Sequence, residues 1–204
     1  MKRFLVVILV VSFLSATAAG QEAFQNTPQA EWYLGYSFVR VNSASFVPAF
    51  SANGAGSSFV YNFSKSVGIV GDFGGYHNGK IGPLALDNTT YTYLFGPRFS
   101  YRKSKIAPYF QAMVGGAHVA ASIQNPLQVN PLPPGATVQR ISVNRNSVAL
   151  GAGVGFDVSV NKHFAIRPIQ IEYLYTEIGG QGTTGGSQNN LRYSAGVVLK
   201  FGKR

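Results

Sequence analysis

The chain has 204 residues, 17 Lys+Arg against 7 Asp+Glu for a formal charge of +10, and no cysteine. The missing cysteines exclude a disulfide framework, a thiolate metal site and a cysteine nucleophile. A hydrophobic content of 46% excludes disorder, and a charged content of only 12%, about half that of an average soluble domain, is too small to coat an ordinary water-facing surface. The first predicted element is an address. Lys2 and Arg3 precede an apolar run from Phe4 to Leu14, and small residues follow from Ser15 to Gly20. That order predicts an export signal over residues 1–20, cut between Ala18 and Gly20. The run is short of the roughly 20 residues a spanning helix requires.

Beyond residue 21 the chain shows no helical periodicity. Residues 21–30 are read as a short N-terminal segment, and eight alternating segments follow: Glu31–Val41, Gly56–Phe63, Val67–Tyr76, Thr90–Tyr101, Ile106–Val119, Ser147–Val160, Phe164–Tyr175 and Asn190–Phe201. Their connections alternate in length. Ser64–Ser66, Arg102–Lys105 and Asn161–His163 are tight turns, whereas 42–55, 77–89, 120–146 and 176–189 are long and polar. This predicts an all-β fold, an antiparallel up-and-down meander with both ends on the short-turn side, closed into an eight-stranded barrel because closure removes two exposed edges. Pro97, Pro108 and Pro168 fall inside strands near the turn end, where each removes a ladder hydrogen bond, so bulges are expected there.

The two faces of the strands decide the solvent. Phe59, Tyr61 and Phe63 share one face, as do Tyr91, Tyr93, Phe95 and Phe99, and Val148, Leu150, Val154 and Phe156. The opposite face carries Gly, Ser and Ala with isolated charges, among them Gly151, Gly153, Gly155 and Asp157. A soluble barrel would show water a charged exterior; glycine on the second face points to crowding inside a narrow lumen. Aromatic residues also gather at strand ends. Trp32, Phe63, Tyr101, Phe164 and Phe201 lie at the turn side, and Tyr36, Tyr76, Tyr91, Tyr173, Tyr175 and Tyr193 at the loop side. Two aromatic girdles around an apolar band predict a transmembrane barrel.

The C-terminal segment Ser194-Ala195-Gly196-Val197-Val198-Leu199-Lys200-Phe201 has a polar residue, a glycine, an apolar residue and a final aromatic at the spacing of an outer-membrane assembly signal. With the alternation, the chain from residue 31 to 204 resembles the small eight-stranded outer-membrane β-barrels, such as the membrane domain of outer membrane protein A and its short relatives. Gly96-Pro97-Arg98 and Pro108-Tyr109-Phe110 also look like members of that class. The resemblance implies a bacterial outer-membrane location, a periplasmic N-terminal segment, contact with outer-membrane lipids and lipopolysaccharide, and recognition of Ser194, Gly196, Leu199 and Phe201 by the barrel-assembly machinery. One departure is the tail Gly202-Lys203-Arg204 after the aromatic.

Alternation points Asp72, Arg98, Gln111, Asp157, Glu172 and Arg192 into the lumen, where lone charges are expensive and pair. The expected pairs are Asp72 with Arg98 and Glu172 with Arg192, with Asp157 and Gln111 in a lower layer, forming a plug. The alternative is a narrow diffusion pore. Lys65, Arg102, Lys103, Lys105, Lys162, Lys203 and Arg204 gather at the turn rim, where they face lipid phosphates, with Arg167 snorkelling outward. They form no stripe suited to nucleic acid. His77, His118 and His163 converge with no nucleophile and acid, so neither catalysis nor a metal is expected, a lipid-modifying barrel enzyme being a distant alternative; no cofactor is implied. Gly179–Gly186 lacks the Lys and helix of a phosphate loop. The loop 120–146 contains Pro126, Pro131, Pro133 and Pro134 and then an alternating run Val138–Val143. That run is expected to prolong the sixth strand as a protruding edge open to an extracellular partner. The expected role is envelope integrity or surface interaction.

Overall fold

The computed structural model describes residues 27–42, 49–81, 86–124, 140–178 and 186–203. The predicted signal, the Gly-rich stretch 179–185 and the four loop prolines lie outside those residues. The strands are β1 (Ala30–Val41), β2 (Phe50–Asn62), β3 (Val67–Ile81), β4 (Leu86–Ser100), β5 (Ile106–Gln124), β6 (Arg140–Ser159), β7 (Phe164–Ile178) and β8 (Gly186–Phe201). They pair in sequence order and close, β8 against β1, into an antiparallel barrel. All begin or end near the sequence boundaries on the turn side. On the loop side most are longer: β2 begins at Phe50, and β5 and β6 pair to Gln124↔Arg140. The extension of β6 is the one its alternating run predicts, as far as Arg140 within the described residues; the others lie in stretches read as loops, because a strand that rises out of lipid needs no apolar face.

The turns are tied by short side chains that accept from the backbone. Asn161 Oδ1 accepts from the amides of His163 and Phe164, both at 2.8 Å, and Ser64 Oγ accepts from Val67 at 3.0 Å. Outward residues form the apolar band, bounded by Trp32, Phe63, Tyr101, Phe164 and Phe201 at one end and Tyr36, Tyr91, Tyr173 and Tyr193 at the other, all exposed. Tyr175 is half-buried. Tyr76 departs from the girdle: it is 3% exposed, because it shares the inward face of β3 with Asp72 and Gly74.

Of the three strand prolines only Pro168 sits at a register shift. Two residues of β8 span Gly196 to Ser194 while β7 passes from Arg167 to Gln170, and the β6 ladder shifts there too. Pro168 and Ile169 both face outward, so the alternation reverses below them. Pro108 pairs in register with Phe156, and Pro97 leaves a gap in the β4–β5 ladder without a shift.

The inward glycines make room for rings. A Cβ on Gly74 would collide with the hydroxyl of Tyr76, one on Gly35 with that of Tyr33, and one on Gly155 would come within 2.6 Å of the Tyr109 hydroxyl. Small residues thus line a lumen whose tyrosines lie across the neighbouring backbone.

Candidate functional site: the charged lumen

The six residues placed inward by sequence, Asp72, Arg98, Gln111, Asp157, Glu172 and Arg192, are all buried in the lumen. Their partners differ in part from expectation. Arg192 is the hub of the cluster nearer the loops. Its Nε lies 2.5 Å from Glu172 Oε2, its Nη2 2.7 Å from Asp72 Oδ1, and its Nη1 donates to the Tyr76 hydroxyl at 2.5 Å. Gln111 Nε2 donates to the other Glu172 oxygen at 2.9 Å. The Glu172–Arg192 pair is therefore present, and Gln111 belongs with it rather than with Asp157.

Asp72 does not pair with Arg98. Asp72 is level with Leu94, and Arg98 is level with Gly68, four residues nearer the turns. At about 3.3 Å per residue that separation is roughly 13 Å, so Asp72 reaches across the lumen to β8 instead. Arg98 heads a second cluster, with Nη2 2.8 Å from Asp157 Oδ2 and 3.7 Å from Glu31 Oε2.

Arg167 does not snorkel. The bulge at Pro168 and Ile169 turns it inward to 1% exposure, where its Nε donates to Asp157 Oδ1 at 2.7 Å and its Nη1 to Gln170 Oε1 at 2.7 Å. Its guanidinium lies 4.4 Å from the Tyr33 ring centroid and 4.7 Å from that of Tyr109, and Arg98 stacks on Tyr109 at 3.6 Å. Arg102 likewise folds in from its turn to Glu31 Oε1 at 2.7 Å. Glu31, Arg102, Gln170 and Tyr33 carry no motif in the sequence, and the motif that holds Tyr109 marks kinship rather than a lumen role. Parity on β1 marks Glu31 and Tyr33, but Arg167 is legible only once the bulge is known.

The clusters balance. Glu31, Asp72, Asp157 and Glu172 face Arg98, Arg102, Arg167 and Arg192. With Val60, Val70, Leu94, Met113 and Leu174 buried beside them, they occupy the lumen between two separate cavities. Above this plug lies a cup of about 190 Å³ lined by Val39, Val41, Phe50, Tyr76, Val119 and Leu174 with amides such as Asn190. Below it lies a vestibule of about 360 Å³ lined by Glu31, Arg102, Asp157, Lys162, His163, Lys200 and Lys203.

The histidines stand apart. His77 lies in the loop-end rim, 3.7 Å from Asp87 and 3.0 Å from Thr89 Oγ1, His118 contacts Asn146, and His163 is in a turn at the opposite end. Among the described residues no group of three or more His, Asp or Glu is placed to hold a metal ion.

Residues 7–201 match the model of the outer membrane protein beta-barrel domain family. Among solved structures, the chain is similar to neisserial surface protein A at 18% identity and a TM-score of 0.61, covering 85% of this chain and 97% of that one. It is similar to Ail, the attachment invasion locus protein of Yersinia pestis, at 18% and 0.54, covering 84% and 98%. It is also similar to OprG of Pseudomonas aeruginosa at 14% and 0.52, covering 86% and 97%. No curated protein matches the sequence.

Proposed function

The chain belongs to the outer membrane protein beta-barrel family, a barrel of the bacterial outer membrane, and from that premise we propose that it is a closed, non-enzymatic barrel that acts at the cell surface through its β5–β6 hairpin. One observation carries this reading. The last pair joining β6 to β7 is Ala149↔Thr176, whereas β6 remains paired to β5 as far as Arg140. Among the described residues no strand pairs with Ile141–Val148 on the β7 side, so this stretch presents a strand edge beyond the neighbouring wall that an added strand can join. Ile141 and Val143 are exposed on it, and Arg140 and Arg145 make it basic, which favours an extended, apolar and acidic segment of a partner protein. Neisserial surface protein A and the attachment invasion locus protein are named for surface roles; the likeness to them is one of fold. The segment Ser194–Phe201 is the proposed assembly signal, and outer-membrane lipid and lipopolysaccharide the proposed surroundings of the band.

Deleting residues 124–142 is expected to leave a barrel that still migrates fast on an unboiled gel and yet no longer retains acidic extended peptides selected from a displayed library on the intact protein. Equal retention by the shortened barrel would overturn the hairpin as the contact surface.

The buried ion-pair clusters between the two cavities support a barrel that does not conduct. Refolded, gel-shifted protein in a planar bilayer is expected to give no stable current steps. Steps that scale with salt would favour the pore reading and make Arg98, Asp72 and Glu172 constriction residues.

A further inference from the structure

We infer that the turn-end vestibule is a binding site for a small phosphate-type anion entering from the periplasm. The plug accounts for every lumen carboxylate: Glu31 is held by Arg102 and Arg98, Asp157 by Arg98 and Arg167, and Asp72 and Glu172 by Arg192. One lumen cation is left over. Lys200, on the inward face of β8 opposite Glu31, is part-buried. Its Nζ donates to Ser159 Oγ at 2.5 Å, and no carboxylate among the described residues comes within ion-pair distance of it.

The cavity it lines is also lined by Lys162, His163 and Lys203, by Arg102, and by Glu31 and Asp157, whose carboxylates are held by the arginines of the plug. Here too the described residues supply no ion-pair partner for either lysine. An ammonium with a neutral hydroxyl as its neighbour, inside a low-dielectric wall and beside further cations, focuses a positive potential on the enclosed space. The 360 Å³ volume holds on the order of ten waters, enough for a hydrated diphosphate. Lys200 Nζ, the Ser159 hydroxyl and the Asn161 amide nitrogen, all on residues that line the cavity, are donors of the kind phosphate oxygens require.

The source of the phosphate is fixed by the wall. Lys200 and Ser159 lie inside it, whereas a lipid headgroup meets the outer rim, where Lys103 stacks at 5.2 Å over Tyr101. A free anion is therefore the ligand, and the site stands or falls independently of the hairpin.

The full chain, refolded in a maltoside micelle and shown to be folded by its gel shift, would be titrated with inorganic pyrophosphate in a calorimeter. Saturable binding is expected, weakened about tenfold by Lys200→Gln, as for the loss of one charge-assisted hydrogen bond, and unchanged by Lys103→Gln. If Lys200→Gln does not fold, the double substitution Lys162→Gln/Lys203→Gln is expected to weaken binding to a similar degree. Absence of saturable binding to folded protein would overturn the proposal. So would binding that is lost with Lys103→Gln or displaced by added phosphatidylglycerol, since that would place the phosphate at the lipid-facing rim.

Discussion

Substituting Arg192→Met is expected to lower the stability of the refolded barrel by about 3–5 kcal/mol, the range for removing one partner of a buried ion pair. The loss follows from what remains. Asp72 and Glu172 would be left buried in the lumen without the guanidinium they share, and the Tyr76 hydroxyl would lose the donor now at 2.5 Å. The check is urea unfolding followed by gel shift or tryptophan fluorescence from Trp32, the single tryptophan. The triple variant Asp72→Asn/Glu172→Gln/Arg192→Met removes all three charges together and is expected to recover most of the loss, because neutral amides leave no charge unpaired. A triple variant no more stable than Arg192→Met would mean that the volume of the arginine, rather than its charge, holds the plug.

Gly196→Val is expected to prevent closure. Gly196 lies opposite Gly35 on the β1–β8 seam, and a Cβ there would run into the carbonyl oxygen of Leu34 and the backbone of Gly35. Backbone atoms cannot swing aside as a side chain does, so the usual cost of overpacking, about 1–3 kcal/mol, is a lower bound. Refolding into detergent in a purified system reads this directly: the variant is expected to lack the fast-migrating band with no assembly machinery present. If Gly196→Val refolds in detergent but fails to reach the membrane in cells, the glycine serves recognition alone.

Much of the fold was legible because a membrane barrel writes its two environments in alternate letters. Phe95 out and Leu94 in, Ile171 out and Glu172 in, follow from strict parity, and the outward aromatics at strand ends mark where lipid begins and stops. Two things escaped. Parity holds only while the ladder is in register, and a single extra residue at Pro168 and Ile169 reversed it for Arg167, so a lumen arginine read as a lipid-facing one. Pairing across the lumen also depends on strand tilt and stagger, which no single strand records. Asp72 and Arg98 are near in sequence-derived height yet belong to separate clusters, because Asp72 is nearer to the far wall than to the base of its neighbour.

Most of the other loop-side ends escaped for a simpler reason. The alternation of Ile141 and Val143 predicts the extension of β6, whereas the small and polar residues that end β5, Ala120–Gln124, do not distinguish a protruding hairpin from a loop when both meet water. Tyr76 illustrates the reverse error: an aromatic near a strand end suggests the girdle, and only its shared face with Asp72 shows it to be inside.

The bonds that close the seam and cross the lumen also constrain the order in which the molecule can be made. Ser37 meets Ser194 across the β1–β8 seam, 157 positions apart in the chain, and Arg192 meets Tyr76 across the lumen, 116 apart. A nascent sheet lacking β8 would hold Asp72 and Glu172 without their counter-charge and β1 without its partner, so a half-built barrel gains little over the unfolded chain. Closure is in this sense all-or-none, and such remote contacts make it slow. The same coupling works in reverse: extracting any one strand must open the seam and strip the plug together, which gives the finished barrel a long lifetime once it has formed.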